Sequence, residues 1–144
     1  MKINHTLIIN APIDNVFDFV DKDEKIKHWM EGELKTEIQG HMYKDSPVGA
    51  KFINKVPGIL EWEGEIIAYR KPEIFGVGLK KGNLRGTMFY GFKMLDDNIT
   101  ELKGDLEIGE GTKVQKVLLK TLSPIIEKIL DKHLQTIKKL AEKN

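Results

Sequence analysis

Hydrophobic and polar residues alternate with a period of two over most of this chain. A helical period takes over in two places, just after the first strand and again at the C-terminal end. Residues 2–10 set Ile3, Leu7 and Ile9 opposite Lys2, Asn4, Thr6 and Asn10, the pattern of a strand with one wet face. His5 falls on the apolar side of that alternation. Ala11-Pro12 ends the strand, and Pro is tolerated in a first helical turn. Ile13, Val16, Phe17 and Val20 then share one face of a short helix. Asp21 to Asp23 is a break with capping residues. A second short helix is expected after it, with Ile26, Trp29 and Met30 as its apolar edge.

Segments 33–41, 49–56, 59–70, 73–80, 84–95 and 99–108 read as six further strands, making seven with the first. The breaks hold Asp45-Ser46-Pro47, Pro57-Gly58, Lys71-Pro72, Lys81-Gly82-Asn83 and Asp96-Asp97-Asn98. Gly supplies positive φ, Pro a fixed φ, and Asn or Asp local side-chain bonds. Such short turns imply antiparallel neighbours. Each strand has a single apolar face. Glu61, Glu63 and Glu65 oppose Trp62 and Ile66; Glu101, Lys103, Asp105 and Glu107 oppose Leu102, Leu106 and Ile108. Leu84, Met88, Tyr90, Phe92 and Met94 lie together on one side.

The cover for that apolar side is segment 113–143, with Thr112 as its N-cap. From residue 122, Leu122, Ile126, Ile129, Leu130, Ile137 and Leu140 form one helical stripe, while Val114, Val117 and Leu118 point about a quarter turn away. Ser123-Pro124 sits at this change of phase. A break or kink is expected there, with Ser123 capping and Pro124 at a first helical position.

With 144 residues, the chain fits one domain. It is 40% hydrophobic and 31% charged, a soluble, globular balance. The 23 Lys and Arg against 22 Asp and Glu leave a net charge of +1, which gives no general field for nucleic acid or anionic membrane. The charge is uneven: residues 113–144 hold 8 Lys against 3 acids, whereas residues 1–112 hold 15 basic against 19 acidic residues. A solvated helix face or a surface for an acidic partner accounts for it. The absence of cysteine removes disulfides, thiolate metal sites and a cysteine nucleophile. No apolar run approaches a membrane span, and the opening residues lack a signal-peptide pattern, so a cytoplasmic protein is expected.

The opening Ile9-Asn10-Ala11-Pro12-Ile13-Asp14-Asn15-Val16-Phe17 resembles the I-x-A-P-x-x-x-V-[WF] start of the START-like (SRPBCC) superfamily. Asp21-Lys22-Asp23-Glu24 with His28-Trp29 is similar to the stretch that follows it there, and Gly49 and Lys71-Pro72 sit where that family has matching strand signals. The branch most similar is the polyketide cyclase/dehydrase and lipid-transport group. The resemblance implies an α+β helix-grip domain over residues 1–144, a curved seven-stranded antiparallel sheet around a long C-terminal helix. It also implies an apolar cavity for lipids, polyketides or other hydrophobic molecules. Some members are cyclases or aromatases, and some relatives are chaperone cofactors.

The chemistry-bearing residues are few. His133 lies in the middle of the apolar stripe. It is either a hydrogen-bonded core residue or a polar group facing a ligand, and the second reading leads us to expect that His133→Leu leaves stability intact. His5 invites the same two readings. His28 and His41 fall near element ends, and no histidine or carboxylate cluster has metal-ligand spacing. No G-x-S-x-G, phosphate-loop or dinucleotide motif is present. The aromatic and Met set is the most informative feature. Phe52, Trp62, Met88, Tyr90 and Phe92 from the sheet, with Ile126, Ile129, His133 and Ile137 from the helix, are the expected lining of a hydrophobic site. The expected function is binding of a small hydrophobic or aromatic ligand by a monomer or weak homodimer, with no cofactor, metal, nucleic acid or integral membrane association. The alternatives are a cyclase/aromatase-type enzyme and a chaperone-cofactor-like interaction module.

Overall fold

A computed structural model describes residues 1–21, 35–39, 48–49, 51–56, 60–109 and 111–143, with backbone alone for residues 21, 35–39, 51–56 and 60–62. Strand β1 (Lys2–Ile9) leads into helix α1 (Ile13–Asp21). Strands β2 (Lys35–Gln39), β3 (Lys51–Val56), β4 (Leu60–Arg70), β5 (Ile74–Lys81), β6 (Leu84–Asp96) and β7 (Ile99–Ile108) follow, and helix α2 (Lys113–Lys143) ends the chain. The second short helix expected around Ile26 to Met30 lies outside the described residues, as do His28 and His41.

The strands form one antiparallel sheet in the order β1-β7-β6-β5-β4-β3-β2. Two-residue turns set much of the register. Lys81 pairs with Leu84 across Gly82-Asn83, where Gly82 takes φ +58°, the left-handed backbone such hairpins require. The five strands from β1 to β4 supply the described core. Ile3 and Ile9, Leu102, Met88, Tyr90 and Phe92, Phe75 and Val77, and Ile66 are all buried on one face. α1 buries Val16, Phe17 and Val20 as its spacing predicts, and Pro12 O accepts its first helical bonds from Asn15 and Val16. Thr100 is buried in β7, where its hydroxyl donates to Ala11 O at 2.8 Å and ties the strand to the β1–α1 corner.

α2 lies over this face. Its start is a reciprocal cap: the Gln115 N–H donates to Thr112 Oγ1 at 3.2 Å and the Thr112 N–H to Gln115 Oε1 at 2.8 Å. Its far end is clamped to β1. Lys138 Nζ donates to Ile8 O at 2.6 Å, and Glu142 accepts the Asn10 N–H at 2.8 Å while pairing with Lys138 at 3.3 Å. The Asn10 N–H and then Lys138 hold the Glu142 carboxyl below its ordinary range.

Three expectations are corrected. α2 runs without a break through Ser123 and Pro124, so Ser123 caps nothing. Pro124 deprives the Lys120 carbonyl of its helical partner, at a position where Lys120 and Pro124 are both exposed. The buried side of α2 is Leu130, Leu134, Ile137 and Ala141, with Ile126 and Leu140 partly buried beside it; of the expected stripe, Ile129 is exposed. Met94 is 58% exposed although it keeps the alternation of Phe92, pairing with Thr100 at the last position before the ladder shifts register.

Candidate functional site

The inner face of β6 is the centre of the site. Met88, Tyr90 and Phe92 succeed one another at period two, and each is buried. Across the ladder, Tyr90 sits opposite Phe75 on β5 and opposite Gly104 on β7. Gly104 in turn sits opposite His5 on β1, so His5, Gly104, Tyr90 and Phe75 form one row over four strands. The row has a gap at Gly104, and α2 enters it. A Cβ at that position would lie 3.0 Å from both Leu134 Cδ1 and Met88 Cε.

That close approach brings His133, the neighbour of Leu134, onto the sheet. Its Nε2 lies 2.7 Å from the Tyr90 hydroxyl, with the ring centroids 5.9 Å apart. Burial pulls the imidazole down to about 4 and pushes the phenol above its ordinary range. Both groups are therefore neutral at neutral pH. A neutral imidazole has one donor and one acceptor nitrogen, so the bond closes whichever partner supplies the proton. The surroundings are aromatic and aliphatic. Phe75 meets Tyr90 edge-on at 6.4 Å, and Phe17 meets Phe92 at 5.1 Å, Tyr69 at 5.6 Å and Phe75 at 6.3 Å.

His5 stands next to Gly104 in the same row. Its Nε2 is buried without a hydrogen bond among the described residues, and its nearest ionic partner is Glu127 Oε1 at 3.8 Å. Among the described residues no group of three His, Cys, Asp or Glu side chains is placed to hold a metal ion.

Met88, Tyr90, Phe92 and Ile137 are thus brought to one buried layer, with His133 half-buried against Tyr90 and Ile126 half-buried at the edge. Ile129 stands apart at 62% exposure. Phe52 pairs with Gly64 and Trp62 with Asn54 in the ladder, and their side chains lie outside the described residues. Phe17, Tyr69, Phe75 and Leu134 belong to the layer and were not among the expected site residues. Two of them left a signal. Leu134 lies four residues after Leu130 and three before Ile137, and Phe75 and Val77 alternate with Gly76 and Gly78.

Among solved structures, the chain is similar to norcoclaurine synthase from Thalictrum flavum in complex with dopamine and hydroxybenzaldehyde. The TM-score is 0.73 at 20% identity, covering 97% of this chain and 85% of that one. It is also similar to a conserved protein from Geobacillus kaustophilus, with TM-score 0.76, 14% identity, and 99% and 96% coverage of the two chains. A third likeness is to Aha1 from Colwellia psychrerythraea, solved as a dimer in solution, with TM-score 0.70, 13% identity, and 99% and 96% coverage. No family model matches the chain, and no curated protein does. These likenesses show the expected fold, an antiparallel sheet gripping a long C-terminal helix.

Proposed function

We propose that this protein binds a small hydrophobic or aromatic molecule, of lipid or polyketide character, between the sheet and α2. The observation that carries the reading is the Tyr90–His133 pair at 2.7 Å, set among Phe75, Met88, Phe92, Leu130 and Leu134. Stability alone gives little reason to keep it, because replacing both members of a buried hydrogen-bonded pair by apolar groups of similar shape is often neutral or stabilising. A neutral polar pair in an apolar layer suits a ligand with one polar group and no charge. Ile126 and Ile137 extend the same lining, and no cofactor is required. The norcoclaurine synthase neighbour, which holds two aromatic compounds, supports the aromatic class. The setting is a single domain acting in the cytoplasm as a monomer or weak homodimer.

Binding is favoured over acid–base catalysis by the same chemistry. A histidine titrating at about 4 is a weak base at neutral pH, and a phenol raised by burial is a weak acid. A cyclase-type reaction would rely on the shape of the site more than on proton transfer.

Titration of the intrinsic tryptophan fluorescence with 1-naphthol, hydroxybenzaldehyde and dodecanol tests the proposal, alongside native mass spectrometry of protein purified from cells. Saturable binding that weakens about tenfold in a Tyr90→Phe, His133→Leu variant, the loss of one good hydrogen bond, is expected. No saturable binding of any probe, together with no co-purified small molecule, would overturn it.

A further inference from the structure

We infer that α2 carries a second start within it, at Ser123-Pro124, and that unwinding of its first three turns back to that point admits the ligand. The inference rests on the ligand reading above and names the way into that site. Some opening is required, because Met88, Tyr90 and Phe92 are 7%, 5% and 4% exposed, and the cover over their layer is α2.

The two parts of α2 are held unequally. Its buried side chains, Leu130, Leu134, Ile137 and Ala141, all lie beyond Ile129, and Lys138 and Glu142 clamp that part to β1. From Lys113 to Ile129 every side chain is exposed or half-buried. Val114, Val117 and Leu118 are 78%, 66% and 54% exposed, so seating the first three turns buries little. Glu127 lies 3.8 Å from His5 while Lys138 reaches Ile8 O, so α2 runs opposite to β1. Residues before Glu127 therefore extend toward the next rung of the sheet, Ile3–Leu106–Met88. Unwinding them uncovers the Met88 side of the layer.

The sequence of those turns is poor for a helix and good for a start just after them. Lys113, Lys116 and Lys120 stand at i,i+3 and i,i+4 spacings with no acid among residues 113–123. Like charges are thus neighbours, and cations sit at the positive end of the helix dipole. Val114, Val117 and Thr121 are β-branched, and the Thr121 hydroxyl donates to Val117 O at 3.0 Å, in competition with the helical ladder. In the intact helix Pro124 also withholds a bond from Lys120 O. A helix that begins at Pro124 is free of these faults. The absent proline N–H is harmless in a first turn, Ser123 is a favoured cap, and Glu127 falls near the positive end of the dipole. Since Ser123 caps nothing in the intact helix, its capping oxygen favours the unwound form alone.

The test is native-state hydrogen exchange of the whole chain, read on peptides covering Val117–Leu122 and Leu130–Ala141. In wild type the first stretch should exchange about a hundredfold faster than the second. Ser123→Ala should slow the first stretch about fivefold, through loss of the cap in the unwound form, and Ser123→Asp should return it to the wild-type rate. Pro124→Ala should slow it at least about tenfold. Stopped-flow mixing with 1-naphthol should show association and dissociation slowed by the same factors at unchanged Kd. Thermal melts certify that the variants fold. Equal exchange of the two stretches overturns the inference, as does a Ser123→Ala variant that exchanges like wild type. Slowed exchange with unchanged naphthol rates overturns the entry route. Absence of any naphthol binding overturns the ligand reading and the entry route with it, while the exchange rates still decide the second start.

Discussion

Replacing His133 by leucine removes an imidazole that meets the Tyr90 hydroxyl at 2.7 Å inside the protein. From sequence, such a variant was expected to melt at or above the wild-type temperature. The observed partner reverses that expectation at neutral pH, because the phenol is left in an apolar layer at a cost of about 1–3 kcal/mol. The sign changes in acid. The folded imidazole titrates at about 4 rather than its ordinary 6.5, so between these values the unfolded chain binds a proton that the folded chain does not. Wild type therefore loses stability as pH falls through that window and is level above it. A depression of this size is worth about 3 kcal/mol at pH 4. His133→Leu loses nothing by this route. The two proteins should cross: wild type more stable at pH 7, the variant equal or more stable near pH 4. Urea denaturation at a series of pH values measures the difference, in which any titration common to both proteins cancels. A difference that stays constant from pH 4 to 7 would refute the reasoning. Adding Tyr90→Phe to the variant should recover most of the loss at neutral pH.

Gly104→Ala should destabilise by about 1–3 kcal/mol, because the new methyl meets Leu134 and Met88 at 3.0 Å; an unchanged melting temperature would show that α2 does not press on β7 there. Pro124→Ala should stabilise by roughly 1–3 kcal/mol in a chemical melt, since α2 runs unbroken through this position. Ile137→Ala should cost about 2–5 kcal/mol and Ile129→Ala less than about 0.5, and similar losses for both would refute the buried side assigned to α2.

The sequence alone determined the period of each described element, because a strand or helix exposes its two faces at fixed spacings whatever it packs against. Alternation marked β1 and the strands from β4 to β7, the Gly82-Asn83 turn followed from the need for positive φ, and Thr112 was legible as a cap. The site was legible in the same way. Met88, Tyr90 and Phe92 share a face by period alone, and His133 stood out as a polar residue on an apolar helix. What the pattern leaves open is the direction each apolar face takes toward a neighbour. α2 carries apolar residues over more of its circumference than one sheet can cover, so Leu134 is buried and Ile129 exposed only because the helix seats itself in the gap at Gly104. Met94 keeps the alternation of Phe92 and is exposed all the same, at the last position before the ladder shifts, which period alone does not reveal. Pro124 stayed inside the helix, with its one missing hydrogen bond on an exposed stretch. The contact of Tyr90 with His133 joins residues 43 positions apart, and that of His5 with Glu127 joins a strand to a helix. Neither contact is a property of local spacing, and each exists only because the folded chain lays α2 across the row from β1 to β5.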